Sequence, residues 1–309
     1  MKSSSSSPKQ SSPDQKSYVD KFKDKDGIDK VLIRSPTGAS VKVSLHGGQV
    51  LSWKTDRGEE LLFTSSKSRF KPPNSVRGGI PICFPQFGKG GALEQHGFAR
   101  NKMWVIDADP PPLPPRDSTG QSFVDLLLKP TEDDLKIWPH RYELRLRVAL
   151  TREGNLTLIP RVRNMDSKPF DYSFAFHTYF SVSDISEVRV EGLETLHYLD
   201  NLFQRERFTE QGESLTFESE VDRVYMDSDD PVAVLDHEKK RTIHIRREGL
   251  PDVAVWNPWD KKAKAMTDFG DDEYKRMLCV DGAVAERSVT LKPGNEWTGC
   301  LGLIFVRSS

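Results

Sequence analysis

The chain has 309 residues, enough for one large β domain or two ordinary ones, so length alone does not divide it. Its 45 Lys and Arg against 46 Asp and Glu leave a formal net charge of -1, which speaks against the broad basic face of a nucleic-acid-binding protein. Three widely spaced cysteines, Cys83, Cys279 and Cys300, suggest neither a disulfide framework nor a zinc knuckle, and no apolar run approaches the roughly 18 residues that span a membrane.

In chain order, MKSSSSSPKQSSPDQK (Met1 to Lys16) has no apolar side chain after Met1 and cannot offset its ordering entropy, so a disordered tail over residues 1–20 is expected. A transit peptide for a plastid is the alternative, weakened by the absence of Arg and by Asp14; the segment also lacks the apolar core of a secretory signal. A soluble, cytoplasmic protein is therefore expected, with one domain over residues 27–309. From Gly27 onward the apolar period is two. VKVSL alternates Val41, Val43 and Leu45, and Gly47-Gly48 offers a turn into QVLSW, a hairpin. DPPPLPPRDSTGQ (Asp109 to Gln121) reads as an extended polyproline loop; its Pro111, Pro114, Pro115 and Arg116 fit an SH3-type groove, but a plain spacer is the preferred reading. YELRLRVAL turns through EGN (Glu153 to Asn155) into LTLIPRVR, a second hairpin in which Pro160 predicts a sheet edge or a bulge. PVAVLDHEKKRTIHIRRE repeats the pattern around Asp236 to Lys240, EWTGCLGLIFV supplies a late apolar strand, and only short segments such as DDEYKRML look helical. The fold class predicted is all-β, a large antiparallel sandwich, with no repeat that would make a propeller.

Several stretches carry candidate chemistry. VRGGIPICFPQFGKGG (Val76 to Gly91) joins Arg77 to paired glycines, which let backbone approach a ligand while the guanidinium offers a planar fork to an oxyanion. LEQHGFARN (Leu93 to Asn101) adds Gln95, His96 and Arg100, without nucleotide P-loop spacing. Two arginines beside Gly-rich turns suggest an anion site; either alone suits an ordinary ion pair. FAFHTYF (Phe174 to Phe180) sets His177 among four aromatic rings, as a satisfied core residue or as a titrating group kept dry. VDRVYMD and LCVDG place Asp222 and Asp281 beside apolar, strand-like residues. Each carboxylate suits a polyol hydroxyl or a general base; the plainer readings are a salt bridge from Asp222 to Arg223 and a turn at Asp281-Gly282. Trp256 and Trp259 suit stacking on a sugar or filling core.

Taken in order, RGGIPICFPQFG, QHGFARN, FHTYFSVSDI, VDRVY, NPW and DFGDDEY resemble the hexose-6-phosphate mutarotases, the glucose-6-phosphate 1-epimerase branch of the aldose 1-epimerase family, and the wording is most similar to plant members. The resemblance covers about residues 27 to 306 and rests on ordered co-occurrence. It implies a sandwich of the galactose-mutarotase (supersandwich) type and interconversion of α and β anomers of hexose 6-phosphates by ring opening and reclosure, with His177 as general acid and Asp281 as general base. It further implies substrate contacts from Arg77, Gln95, His96, Arg100 and Asp222, the arginines taking the phosphate. One departure stands out: the family's usual CVE reads CVD here, one methylene shorter, with Glu286 as a weaker substitute for the base. No metal or organic cofactor, no nucleic-acid or membrane partner and a monomeric state are expected. A mutarotase of unphosphorylated aldoses and a non-catalytic sugar-phosphate-binding protein remain alternatives.

Overall fold

The computed structural model describes residues 18–89, 91–113, 121–228 and 231–308. The tail up to residue 17 and most of the candidate SH3-binding segment, Pro114 to Arg116 included, lie outside the described residues. The first strand, Tyr18–Lys23, begins ahead of residue 27 and pairs with Asp29–Arg34. Residues 18–20 therefore belong to a sheet rather than to the tail, because YVDKFK already supplies strand pairing to its neighbour.

All the strand pairs described are antiparallel and form three sheets. A four-stranded meander runs Tyr18–Lys23, Asp29–Arg34, Ser40–Ser44, Gln49–Lys54. A ten-stranded sheet runs from Ser214–Leu215 through Val188–Glu191, Val232–Asp236, Arg241–Glu248, Cys300–Arg307, Leu156–Asn164, Tyr142–Leu150 and Ser122–Leu128 to Val105–Ile106, with Glu296–Thr298 paired to Leu156–Asn164. An eight-stranded sheet runs Glu206–Thr209, His197–Asp200, Val221–Tyr225, Asp252–Asn257, Met277–Leu291, Phe170–Phe176 and Ile82–Cys83, with Tyr179–Ser181 also paired to Met277–Leu291.

The three predicted hairpins are present: Val43 pairs with Val50, Leu150 with Leu156, and Asp236 with Arg241. Gly47 and Gly48 both have positive φ, 80° and 56°, as their turn requires. Pro160, expected at an edge or a bulge, sits instead inside the ten-stranded sheet opposite Leu146. Its missing donor falls at the break between Glu296–Thr298 and Cys300–Arg307, where Gly299 N–H donates to Pro160 O at 3.0 Å. The interruption of the neighbouring chain, rather than an edge, accommodates the ring. DDEYKRML contains a 3₁₀ turn, Glu273–Arg276, and two short α-helices, Glu132–Ile137 and Trp259–Ala265, join it. The first helix is set by a capping box between Thr131 and Asp134. Among the described residues no helix is long and apolar enough to cross a membrane.

Strand alternation divides the eight-stranded sheet into two faces. Val253, Val255, Leu278, Val280, Phe174 and Phe176 point into the main core, with Val31, Trp53, Leu144, Leu158 and Leu301 from the other sheets. Cys279, Met277 and Trp256 lie on the other face with Tyr179, Phe63 and Phe269. Asp222 and Asp281, each in alternation with core residues, share that second face.

Gly79 shows how tightly the RGG segment is set against the meander. Its φ is 59°, and a Cβ there would stand 2.1 Å from Val50 O. Gly79→Ala is expected to destabilise the fold by about 1–3 kcal/mol, read as a lower midpoint of urea unfolding. A wild-type midpoint would show that the backbone moves aside.

Candidate active site

His177 stands where one strand gives way to the next. Phe176 pairs with Gly282 and Tyr179 with Cys279, so the register carries His177 to the level of Asp281. The ladder breaks there because Thr178 N–H donates to Asp281 Oδ1 at 2.7 Å. The other carboxylate oxygen, Oδ2, lies 2.8 Å from His177 Nδ1. An ionised carboxylate only accepts, so Nδ1 carries the hydrogen and Nε2 is the ring atom left for a substrate. Asp281 lies mid-strand in Met277–Leu291, not in a turn, and its side chain is 1% exposed. Burial pushes its carboxyl above the ordinary range, against the pull of His177 and the Thr178 amide.

His177 is ringed by aromatic faces: Tyr179 meets it edge-on at 4.7 Å, Trp256 at 5.7 Å and His96 in a stack at 5.4 Å. His96 has φ 67°, and its Nδ1 accepts from Gly88 N–H at 3.1 Å, so a neutral ring carries its hydrogen on Nε2. Burial, then the charges of His177, Arg100 and Arg77, pull its pKa down to about 2. The two stacked imidazoles thus have opposite tautomers, and His96 acts as a neutral donor.

Arg77 is gripped on its inner edge. Nε and Nη2 donate to the two oxygens of Asp268 at 3.1 and 3.2 Å, and Nη1 donates to the Tyr179 hydroxyl at 3.2 Å. Burial works against the charge, but Tyr179 and Asp268 outweigh it and hold the guanidinium protonated. Arg100 donates from Nη2 to Gln95 O at 2.9 Å and has no ion-pair partner among the described residues; its buried Nε has no hydrogen-bond partner there. Gln95 contributes this carbonyl while its side chain is exposed. Both arginines line one cavity of about 510 Å³, with Asn74, Glu94, Tyr179 and Asp268. Through Tyr179 the cavity adjoins the His177–Asp281 pair.

Asp222 lies on the same sheet face, two strands from Asp281: it pairs with Trp256, and Asp281 with Ala254. It does not bridge to Arg223, which turns to Asp200 and Glu210. Its side chain is 29% exposed, so it is open where Asp281 is sealed. Burial raises its pKa, partly offset by Asn201 and Lys262. Glu286, further along the Asp281 strand, is held by both oxygens to Arg205 at 2.7 and 2.8 Å. Trp259 packs on the core and on Tyr274 at 5.2 Å, while Trp256 stands beside His177. Asp268, Tyr179 and Asn201 were not singled out from the sequence. Only DFGDDEY marked Asp268, as part of an ordered resemblance. Among the described residues no cluster of three or more His, Cys, Asp or Glu is arranged to hold a metal ion.

An antiparallel sandwich carries a hydrogen-bonded histidine–carboxylate pair on one sheet face, beside a cavity with two arginines, groups of the kind that proton transfer on a small polar molecule employs. The aldose 1-epimerase family model matches residues 29–303, and the chain belongs to that family of isomerases. It is 60% identical over 294 residues to a "putative glucose-6-phosphate 1-epimerase" of Cenchrus ciliaris, covering 94% of this chain and 89% of that one. A protein of the same description from Escherichia coli K12 is 31% identical over 85% of each chain. The solved structure of a "putative mutarotase", YeaD of Salmonella typhimurium, superposes with a TM-score of 0.81 at 27% identity, covering 94% of both chains. The fold is the mutarotase-type sandwich and the activity is interconversion of anomers.

The depressed pKa of His96, and of buried His46 by desolvation, ties stability to pH. Below about 6.5 the unfolded chain takes up protons that the folded rings refuse, so stability is fully present above that pH and falls as pH drops. The slope from His96 is up to about 1.4 kcal/mol per pH unit. His96→Gln should flatten the acid side of the stability profile in urea titrations between pH 4 and 6.5; an unchanged slope would mean that the ring protonates in the folded state.

Proposed function

We propose that the substrates are hexose 6-phosphates, with glucose 6-phosphate preferred. The observation that carries this is the convergence of Arg77 and Arg100 on one cavity beside His177 and Asp281. Arg100, without a carboxylate partner among the described residues, and the second N–H groups on Nη1 and Nη2 of Arg77, which also lines the cavity, supply charge-assisted donors to a phosphate. A free hexose would call for neither. Gln95 supports Arg100 through its carbonyl.

In this reading His177 reacts as the imidazolium, with Nε2 as well as Nδ1 carrying a hydrogen, and passes the Nε2 proton to the ring oxygen while Asp281 accepts the proton of the anomeric hydroxyl. The C1–O5 bond breaks, leaving an open-chain aldehyde. Rotation about C1–C2 and reclosure, with the protons moving in reverse, deliver the other anomer. Asp281 is sealed with both oxygens engaged, so Oδ2 must turn from His177 Nδ1 to meet the hydroxyl. Asp222 accepts a hydrogen bond from a sugar hydroxyl, and His96 offers its Nε2–H. The chemistry is proton transfer on an already reactive hemiacetal and calls on no metal or organic cofactor. The enzyme is read as a cytoplasmic monomer with one domain, residues 27–309 together with the strand Tyr18–Lys23 that pairs with it.

Anomer exchange spectroscopy tests these assignments. His177→Asn should lower enzyme-dependent exchange by about 10²–10⁴-fold while the protein stays folded; near-normal exchange by a folded variant would remove the role. Asp281→Asn should do the same, since an amide does not accept the anomeric proton. Asp281→Glu should alter the rate in either direction, whereas loss of exchange in Glu286→Gln alone would move the base five residues downstream.

Arg100→Ala should weaken use of glucose 6-phosphate by about 10- to 150-fold, one charge-assisted contact, with little effect on free glucose. Arg77→Ala should act alike. Equal losses on both sugars would mark the arginines as structural.

A further inference from the structure

A polar chain outside the residues assigned above runs from the protein surface to Asp222. Asn201 opens the 3₁₀ turn Asn201–Phe203, and the next two residues, Gln204 and Arg205, both take left-handed backbone, φ 54° and 64°. Non-glycine residues adopt that region reluctantly, and two in succession persist only where their surroundings fix them. Apolar burial does not do so here: Leu202 and Phe203 are 42% and 59% exposed. Arg205 does. Its backbone N–H donates to Asp200 O at 2.9 Å, its Nη2 forks onto Glu286, and its Nη1 reaches Asn201 Oδ1 at 3.3 Å.

That last contact sets the Asn201 amide. With Oδ1 accepting from a guanidinium, Nδ2 is directed at Asp222 Oδ1, 2.8 Å away. The flipped amide would face an oxygen toward a carboxylate and an NH₂ toward a cation, so the chemistry admits one orientation. Asp222 Oδ2 is left with Lys262 Nζ at 3.9 Å, beyond a hydrogen bond.

We propose that Asn201 is a positioning residue of the active site, its side-chain amide fixing Asp222 so that Oδ2 accepts a sugar hydroxyl, with the Arg205–Glu286 ion pair holding Asn201 in place. The proposal rests on Asp222 as a sugar-binding residue of the reaction described above. The charged and titratable groups that act on Asp222 are Lys262 on the helix Trp259–Ala265, Glu220 ahead of its own strand, and His177, Asp281 and Cys279 across the sheet face. Asn201 donates to Asp222 without bringing a charge of its own, and it favours the ionised carboxylate.

Asn201→Leu keeps side-chain bulk and removes the donor. In anomer exchange with glucose 6-phosphate, the expected result is a KM raised about 10-fold, a kcat changed less, and an acid limb of the pH profile displaced upward, because Asp222 loses a contact that lowers its pKa. In an Asp222→Asn background the same substitution should change KM by less than about 2-fold, since the partner charge is gone. Glu286→Gln, which keeps the Asn201 amide but weakens its anchor, should raise KM in the same direction and to a smaller extent. A folded Asn201→Leu protein with wild-type KM and pH profile overturns the assignment, as does an equal loss in the Asp222→Asn background; if Asn201→Leu fails to fold, an unchanged KM in Glu286→Gln overturns it. A wild-type protein that does not accelerate exchange would overturn the functional reading and this proposal with it, whereas an active wild type with unaltered variants overturns only the role of Asn201.

Discussion

The Asp281 carboxylate occupies a place that a backbone carbonyl would fill in an uninterrupted sheet. By accepting the Thr178 amide at 2.7 Å it divides what would be one strand, Phe170 to Ser181, into two, and the break is where His177 turns its ring. The same carboxylate holds that ring through Nδ1. Each such charged hydrogen bond is worth about 1.5–3 kcal/mol, while removing a carboxylate from water costs several kcal/mol. The raised pKa of Asp281 tells which side prevails: desolvation exceeds what the two donors return. The sheet therefore keeps a carboxylate with a heightened appetite for a proton, on rigid backbone, against the one imidazole that can exchange with it.

Around that point the two faces of the eight-stranded sheet divide the work. Phe174, Phe176, Leu278 and Val280 fasten the strands to the core, and their alternate neighbours build the site. Because both sets lie on the same strands, a slip of one residue would exchange core for chemistry, so packing and function enforce the same register. The Asp268–Arg77–Tyr179 contacts extend this rigidity sideways: Tyr179 lies against His177 and also receives a hydrogen bond from the arginine. Charge for the anion and aim for the imidazole are thereby linked through one phenol.

Much of this was legible because short-range patterns decide it. Alternation and Gly47-Gly48 fix the first hairpin, and Asp222 and Asp281 each fall in step with apolar neighbours, which puts both on the side away from the core. What escaped the sequence depends on distant segments. Pro160 reads as an edge residue until Gly299, 139 positions later, is seen to break the adjoining strand. Asp268 has no local feature that marks it as the partner of Arg77, 191 residues away. Asn201 sits in a segment whose left-handed backbone follows from Arg205 reaching Glu286, 81 residues on. The departure at position 281 was visible as a missing methylene; that both oxygens are already engaged was not.

The margins of the two large sheets have a consequence of their own. The ten-stranded sheet ends on Ser214–Leu215 and Val105–Ile106, and the eight-stranded one on Ile82–Cys83 and Glu206–Thr209, strands of two and four residues. A long straight margin would offer a row of unpaired amides and carbonyls to any passing chain, as amyloid templates do. Stubs of this length give an incoming strand too few bonds to stay. The two large sheets thus offer an incoming strand little to build on, and their longest strands lie inside them; the four-stranded meander, which ends on the six-residue Tyr18–Lys23, carries Asp20, Lys21 and Lys23 along that margin instead.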